Sequence, residues 1–320
     1  MVRYALWQLA SLVAVLVGAT AILVLLTNLI PGDAASVLLG SRATPDAVAA
    51  LRQSMGLDLP AYERVARFLW NAAHGDLGTD VISGRPVTGT VLRAIPSTLM
   101  LAFGAILVAI GLGVPLGVQA AAKPGGLVDR STAFLAVGLI STPSFVIAIL
   151  LLLVFSVQLG WTPVLGGGEG EGFWSQLHHL VLPVIAVSFG WIGYIARQVR
   201  SSLLDVLGQS YIKTARAYGL PDKTVLYKYA LKVAIIPVIS ILGVGVGDLI
   251  GKSVFVETIF GRPGLGALIN SALRDRNYPV VQAGVFVVVF LYVFTNAMVD
   301  LLYAWLDPRI RERFFRRGDH

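Results

Sequence analysis

Only a few residues in this chain have types and spacings that could support chemistry. The triplet Gly-Lys-Ser at residues 251–253 matches the end of a phosphate-binding loop, but that motif also needs a glycine five positions before its second glycine, where the chain has Val246. His178 and His179 are adjacent, and adjacent residues on a helix point apart, so they are poorly placed to share a metal. Cysteine and the pattern Gly-x-Ser-x-Gly are both absent. We therefore predict that the chain is not an enzyme and that it binds no cofactor and no metal itself.

Two pairs of polar residues interrupt long apolar runs: Asp248 with Lys252, and Asn296 with Asp300. The members of each pair are four positions apart, which places them on one face of a helix and allows Asp248 to pair with Lys252. Charges inside a membrane are costly and tend to face a cavity or another protein. Asp248, Lys252 and Asn296 are therefore candidates for residues that border a path across the membrane. A local ion pair is the alternative for Asp248 and Lys252, and a solvated or interhelical partner is the simpler expectation for Asp300.

The apolar run around Asp248 also contains Gly243, Gly247 and Gly251 at intervals of four residues. Glycines at this spacing line one face of a helix and allow another helix to pack closely against it. We therefore predict close helix packing on this face. The second interpretation is a smooth face for a helix that slides.

The elements that carry these residues are predicted to be membrane helices. Hydrophobic residues make up 56% of the chain, charged residues make up 13%, and the mean hydropathy is +0.77. A soluble domain usually contains about 25% charged residues, and a helix needs about 20 apolar residues to cross a bilayer. The sequence predicts an all-α polytopic protein with six transmembrane helices. The predicted spans are residues 6–30, 97–121, 132–157, 180–197, 233–254 and 280–306.

The basic residues predict the orientation of the chain. Most lysines and arginines fall in segments that are cytoplasmic if the amino terminus is cytoplasmic, and six spans return the carboxyl terminus to the same side. We therefore expect a multi-pass membrane protein with both termini in the cytoplasm. Its basic flanks would contact anionic lipid headgroups. Nucleic acid binding is the rival interpretation of the net charge of +7, but that charge is divided among separate membrane-flanking segments.

Four parts of the chain are predicted. They are an N-terminal transmembrane helix at residues 1–30, an extracytoplasmic helical segment at 31–95, a membrane core at 96–306 with a cytoplasmic loop at 198–232, and a basic cytoplasmic tail at 307–320. The extracytoplasmic segment is too long for a simple connection. Thr44 and Pro45 predict the start of a helix that Gly56 ends, and a second helix is expected at about residues 61–73.

A basic segment at residues 211–221 separates two long apolar stretches. We predict a short amphipathic helix at residues 200–208 and a second at 211–218. Gly219 suits the left-handed position after a helix end, and Pro221 suits the first turn of the helix that follows. Such a helix at a membrane surface can receive a push from a soluble partner. The alternative is a basic connector that lies on lipid headgroups, although its small residues do not favour lipid contact.

This segment resembles the EAA loop of ABC importer permeases, which docks into a groove on the ATPase subunit. The family pattern is Glu-Ala-Ala, three residues and a glycine, and here Lys-Thr-Ala at residues 213–215 and Gly219 occupy that frame. The glutamate and first alanine are replaced, and the usual downstream proline position is Lys232, with a proline only at Pro237. These departures match the dipeptide and oligopeptide branch, where Tyr-x-x-Thr-Ala-Arg-Ala-x-Gly-Leu is typical.

The resemblance extends along nearly the whole chain. The further motifs are Pro31-Gly32-Asp33, Met55-Gly56-Leu57-Asp58-x-Pro60, Gly75-Asp76-Leu77-Gly78, Arg93-x-x-Pro96-x-Thr98-Leu99, Val256-Glu257-Thr258-Ile259-Phe260-x-x-Pro263-Gly264-Leu265-Gly266, Asp275-x-x-Tyr278-Pro279-Val280-Val281-Gln282 and Asp307-Pro308-Arg309-Ile310-Arg311. In this order the motifs are specific. The chain is similar to the first of the two permeases in a peptide importer.

The resemblance implies a type I ABC importer permease core and a multi-subunit complex in the bacterial inner membrane. This chain and a second homologous permease would form the translocation pathway as a heterodimer for di- or oligopeptides. Two ATP-binding subunits would hold ATP and magnesium, and an extracytoplasmic peptide-binding protein would deliver the cargo. The ATPase-docking residues implied for this chain are Tyr211, Lys213, Thr214, Ala215, Arg216, Ala217, Gly219 and Leu220.

Other functions remain open at this point. Related permeases serve nickel or other small solutes, so the cargo is one alternative. A stand-alone ion-coupled carrier is a rival from a different class, and it would transport without ATPase subunits. An intramembrane enzyme would need paired acids or a metal cluster at one membrane depth, and the sequence shows neither.

Overall fold

A computed structural model describes residues 2–29, 36 and 44–306 of the chain. This described part is helical and contains no β-strand, apart from an isolated bridge between Thr79 and Pro86. The prediction of an all-α protein is confirmed. The predicted motif at residues 31–33 and the basic tail at residues 307–320 lie outside the described residues.

The described helices follow one another along the chain in a fixed order. They are α1 (Val2–Leu29), α2 (Pro45–Ser54), α3 (Ala61–Ala73), α4 (Val87–Ala122), α5 (Leu127–Ser141), α6 (Ser144–Leu151), α7 (Phe173–Leu207), α8 (Ser210–Ala217), α9 (Asp222–Thr224), α10 (Leu231–Ile259), α11 (Leu265–Arg274) and α12 (Tyr278–Leu306). Two π-helical segments, Leu152–Gln158 and Val225–Ala230, extend α6 and join α9 to α10.

Several of these helices are long and apolar enough to cross a membrane. Within the described residues there are 4 such helices, in α1, α4, α7 and α12, or up to 5 if the bent pair of α5 and α6 is one span. The fifth predicted span lies in α10, a helix of 29 residues, which is about 43 Å long at the usual rise per residue. Within the described residues, five of the six predicted spans thus fall within a single long helix each; residue 30 of the first span lies outside them.

The third predicted span, residues 132–157, is the exception, and the structure corrects it. Two helices replace the single straight helix, and they meet at an angle of 98°. The break lies at Thr142, which has extended backbone (φ −91, ψ 121), and at Pro143, which precedes the first residue of α6. Proline has no N–H to donate and disfavours a helical conformation in the residue before it, so α5 ends where the sequence Thr-Pro begins.

By its contacts the described chain forms two compact units. The first comprises the described residues up to Thr98 together with Pro263–Ala297. Its helices α2 and α3 lie where the sequence predicts them: the Thr44 hydroxyl accepts a hydrogen bond from the Ala47 N–H at 3.3 Å, and Gly56 follows α2 with φ +65. A buried cluster that includes Leu77, Val91, Leu265 and Val280 holds this unit together.

The second unit comprises Leu99–Arg262 and the described residues from Met298. Helix α7 is at its centre, because much of its surface is buried, including Ile195, Val199 and Leu203. Close approach of α4 to α7 depends on small residues: a Cβ on Gly117 would lie 2.5 Å from the carbonyl oxygen of Ala196. This unit carries the residues that the sequence analysis selects as candidates for docking, and most of those for the pathway.

Candidate functional site

Helix α8 is a two-turn helix between the end of α7 and the start of α10. It follows Gln209, whose backbone is extended (φ −70, ψ 151), and it ends at Tyr218. Gly219 then adopts φ +76, the left-handed conformation that a residue with a Cβ rarely adopts. Pro221 caps α9, which continues through the π-helical segment into α10. The helix, the glycine and the proline thus follow one another as the sequence predicts, with Pro221 at the N-cap instead of in the first turn. The separate short helix predicted at residues 200–208 is wrong, because residues 200–207 continue α7.

One side of α8 is anchored in the second unit. Ile212 is 0% exposed and Ala215 is 8% exposed, and both belong to the same buried cluster as Leu203 and Val225. The two residues are three positions apart and therefore lie on one helix face. Leu203 belongs to α7 and Val225 to the segment that leads into α10. A displacement of α8 would consequently act on both of these long helices.

The other side of α8 faces outward. Tyr218 is 84% exposed, and Arg216 forms an ion pair with Asp222 at 3.4 Å in which both side chains are mostly exposed. Such an exposed pair contributes little to stability. Among the eight candidate docking residues, the exposed ones are Tyr211, Lys213, Thr214, Arg216, Ala217 and Gly219, whereas Leu220 is half-buried and Ala215 is buried. Ala215 therefore allows close packing within this chain, and the outward face is polar and aromatic.

A buried ion pair lies at the end of α7 from which α8 departs, and the sequence analysis did not identify it. Arg200 of α7 donates from Nε and, at 2.8 Å, from Nη2 to the two carboxylate oxygens of Asp129 in α5. The Gly125 N–H also donates to Asp129 Oδ2 at 2.8 Å. The side chain of Asp129 is only 6% exposed and that of Arg200 is 33% exposed. This bidentate pair fixes the end of α7 to the first turn of α5.

The two charged residues predicted in α10 are paired. Lys252 Nζ lies 2.6 Å from Asp248 Oδ2, and the side chains are 42% and 45% exposed. The indole Nε1 of Trp191 in α7 donates to the same oxygen at 2.8 Å. Asn296 is half-buried on α12 and belongs to the other unit, and the side chain of Asp300 lies outside the described atoms. The structure therefore brings together Asp248 and Lys252 and adds Trp191 to them.

The glycine stripe of α10 has mixed surroundings. Gly247 is buried, whereas Gly251 is exposed and a Cβ there would meet nothing within 4 Å. Gly243 lies within α10, and its surroundings are outside the described atoms. The closest approach is made instead by Gly245, where a Cβ would lie 2.4 Å from the ring of Trp191. Gly245 thus makes room for the indole that binds Asp248, a role that the four-residue spacing does not indicate.

The two adjacent histidines are bound to backbone carbonyls. His178 Nε2 lies 2.8 Å from the Trp161 oxygen, and His179 Nδ1 lies 2.8 Å from the Ser175 oxygen. Among the described residues there is no group of three or more histidine, aspartate or glutamate side chains that could hold a metal ion. The described polar groups thus form hydrogen bonds and ion pairs, and within the described residues they form no cluster of metal ligands.

Known proteins resemble this chain in sequence and in fold. It is 39% identical over 324 residues to the probable D,D-dipeptide transport system permease protein DdpB of Escherichia coli strain K12, covering 94% of this chain and 95% of that protein. It is 36% identical over 332 residues to the dipeptide transport system permease protein DppB of Alkalihalophilus pseudofirmus, covering 97% and 100%. A solved structure of the inward-facing MetNI methionine ABC transporter matches with a TM-score of 0.57 at 19% identity, over 68% of this chain and 96% of that one.

Two family models cover most of the sequence. The model of the binding-protein-dependent transport system inner membrane component matches residues 113–312, and the N-terminal model of such membrane components matches residues 1–102. The first match includes α8, the ion pair of Asp129 with Arg200, and the charged pair in α10. The chain therefore belongs to the family of inner membrane components of binding-protein-dependent transport systems.

Proposed function

We propose that this chain is the transmembrane permease subunit of an ATP-driven importer for di- and oligopeptides. The names of the relatives that cover nearly the whole chain at 36% and 39% identity support dipeptides as the cargo class. A second homologous permease would form the other half of the pathway, and a peptide-binding protein would deliver cargo to the external side. The proposed external segment is residues 31–95, and the membrane core is residues 96–306. Both termini, including the tail at residues 307–320, would lie in the cytoplasm.

The observation that carries this proposal is the two-sided character of α8. Ile212 and Ala215 attach it to the buried cluster, while Lys213, Arg216 and Tyr218 leave a polar, aromatic face open to a partner. We assign this face to one of two ATP-binding subunits, which would hold the ATP and magnesium. Closure of the ATP-binding subunits would then push α8, and its buried side would transmit the motion to α7 and α10. Hydrolysis would take place outside this chain.

A matched pair of charge reversals tests this assignment. Arg216 and Lys123 are both exposed, but only Arg216 lies on α8; Lys123 follows α4. In the complete complex, we expect Arg216→Glu to lower co-purification of the ATP-binding subunits and peptide-stimulated ATP hydrolysis by about tenfold or more, because a charge that complements the partner surface would become repulsive. Lys123→Glu makes the same change in net charge and should leave both quantities near their original values.

Two results would refute the proposal. The first is equal co-purification and equal hydrolysis in the two variants, which would mean that α8 does not contact the ATP-binding subunits. The second is peptide uptake into liposomes by this chain without ATP-binding subunits and ATP, which would indicate an ion-coupled carrier.

A further inference from the structure

The surface of α10 around Asp248 and Lys252 does not resemble a surface that faces lipid. Both charged side chains are more than one-third exposed, and the exposed Gly251 beside them leaves open space. On α5 of the same unit, by contrast, the exposed surface is apolar, with Phe134 81% exposed and Leu135 55% exposed. A charged pair within a membrane segment normally faces water or protein. This face of α10 is therefore suited to line an aqueous path.

The carboxylate of Asp248 accepts a hydrogen bond from a buried residue of the same unit. Trp191 is only 9% exposed, and its indole N–H donates to Asp248 Oδ2 at 2.8 Å. Gly245 admits the indole ring, because a Cβ at that position would lie 2.4 Å from it. Asp248 thus has a fixed donor that does not depend on Lys252. Lys252, on a flexible four-carbon stem, is the member of the pair that can exchange its partner.

The pair lies nearer to the proposed external end of α10 than to its other end, because Asp248 is 11 residues, or roughly 17 Å, before Ile259. Asp248 lies 17 residues after Leu231, the first residue of α10, which corresponds to roughly 25 Å along the helix axis. The pair is therefore far from the end of α10 that follows α8. In the proposed orientation, that distant end is the one that cargo reaches first.

We propose that Lys252 binds the terminal carboxylate of the peptide as it enters the pathway, and that Asp248 is the partner that Lys252 leaves. This inference rests on the proposed function. A carboxylate from the cargo replaces the carboxylate of Asp248, so the ammonium stays paired. Asp248 keeps the hydrogen bond from Trp191 and faces the ammonium group of the same peptide. The ligand class is a peptide with free, charged termini, and the absence of a side chain at Gly251 leaves room for it.

The test compares a peptide with its amide. The wild-type complex is reconstituted in proteoliposomes that contain ATP. It is supplied with peptide-binding protein that is saturated with either trialanine or trialanine amide, and the amide lacks the carboxylate. We expect wild type to prefer trialanine and Lys252→Gln to reduce the ratio of the two uptake rates by about tenfold, the size expected for one charge-assisted hydrogen bond. Lys252→Arg should restore most of the ratio. Lys123→Gln, an equal loss of charge outside α10, should leave it unchanged.

The ratio separates substrate recognition from stability, because a merely structural pair would affect uptake of both ligands alike. If Lys252→Gln does not assemble, the neutral variant Asp248→Asn/Lys252→Gln takes its place, with the same expected loss of preference. An unchanged ratio in the variant that assembles would overturn the inference, as would a wild-type complex that imports both ligands equally. A wild-type complex that imports neither ligand with ATP would refute the proposed function itself, and the inference with it.

Discussion

At Gly245 a single added methyl group should have a large effect. The substitution Gly245→Ala places a Cβ 2.4 Å from the nearest ring atom of Trp191, which is too close for two carbon atoms that are not bonded. The clash forces the indole to move, and such overpacking of a tight site typically costs about 1–3 kcal/mol. We expect a lower thermal unfolding temperature of the purified complex and a changed tryptophan fluorescence spectrum, since the hydrogen bond to Asp248 would be lost.

The matched control is Gly251→Ala on the same helix. A Cβ at Gly251 would meet nothing within 4 Å, and alanine in a helix is favoured over glycine by roughly 0.5–1 kcal/mol. Gly251→Ala should therefore leave the unfolding temperature unchanged or raise it slightly. Equal destabilisation by the two substitutions would show that the glycines of α10 act through helix propensity rather than through the contact with Trp191.

Two aspartate–arginine pairs in the second unit differ in burial, and this difference gives the next prediction. The side chain of Asp129 is only 6% exposed, and Asp129→Asn removes its negative charge, which binds Arg200. Because Arg200 is 33% exposed, water can partly replace the lost partner, and we expect a loss of stability of about 1–3 kcal/mol. The measurement is the unfolding temperature of the complex in detergent.

Asp222→Asn is the comparison for this substitution. Its partner Arg216 lies at 3.4 Å, but the side chain of Asp222 is 89% exposed, and exposed pairs contribute between zero and about 1 kcal/mol. Little change in the unfolding temperature is expected. The assignment of the Asp129 pair as the stabilising one fails if Asp222→Asn proves as harmful as Asp129→Asn.

At the scale of helices, the sequence predicted the parts of the fold that local signals control. Thr44 and Gly56 bound α2, and Gly219 follows α8, because caps and left-handed glycines act within a few residues. The bend at Pro143 also had a local signal, but it lies within an apolar run that suggests one continuous span. Hydropathy describes how strongly side chains prefer apolar surroundings. It carries no information about the direction of a helix axis, so the 98° angle between α5 and α6 was not predicted.

The contacts between helices were the least predictable part of the site. Asp129 and Arg200 are 71 positions apart, and residue 200 was predicted only as the start of a short amphipathic helix, without a partner. In the same way, the interval of four residues pointed to Gly243, Gly247 and Gly251, whereas the close contact with Trp191 is made by Gly245. In both cases the partner is determined by how α7 packs against α5 and α10, and a single sequence does not encode that packing in its spacing.

At the scale of the whole molecule, this chain leaves two polar surfaces exposed. The outward face of α8 is polar and aromatic, and the face of α10 around Asp248 is charged within a mostly apolar helix. A protein that functions alone in a membrane would be expected to cover such charges. Both surfaces therefore agree with a subunit that becomes complete only within an assembly.

The first unit should lose stability in acid because of Asp80. Burial acts to raise the pKa of Asp80, but hydrogen bonds from Ser83, Ile82 and Asn277 together lower the pKa below its ordinary value. A lowered pKa in the folded state means that the ionised form stabilises the fold above the unfolded pKa of about 3.9. This contribution is lost as the pH falls through the folded pKa. Asp80 then releases Asn277, which precedes α12.

Hydrogen exchange measures this loss directly. Between pH 7 and pH 3, after correction for intrinsic exchange rates, we expect protection to fall in the turn at residues 76–86 and in the first turn of α12. Asp80→Asn cannot ionise, so its protection in these segments should be lower at pH 7 and should change less with pH. If the asparagine variant shows the full pH dependence of the original chain, another group controls the acid sensitivity. The hydrogen bonds of Asp80 would then hold the turn without making it a pH-dependent contact.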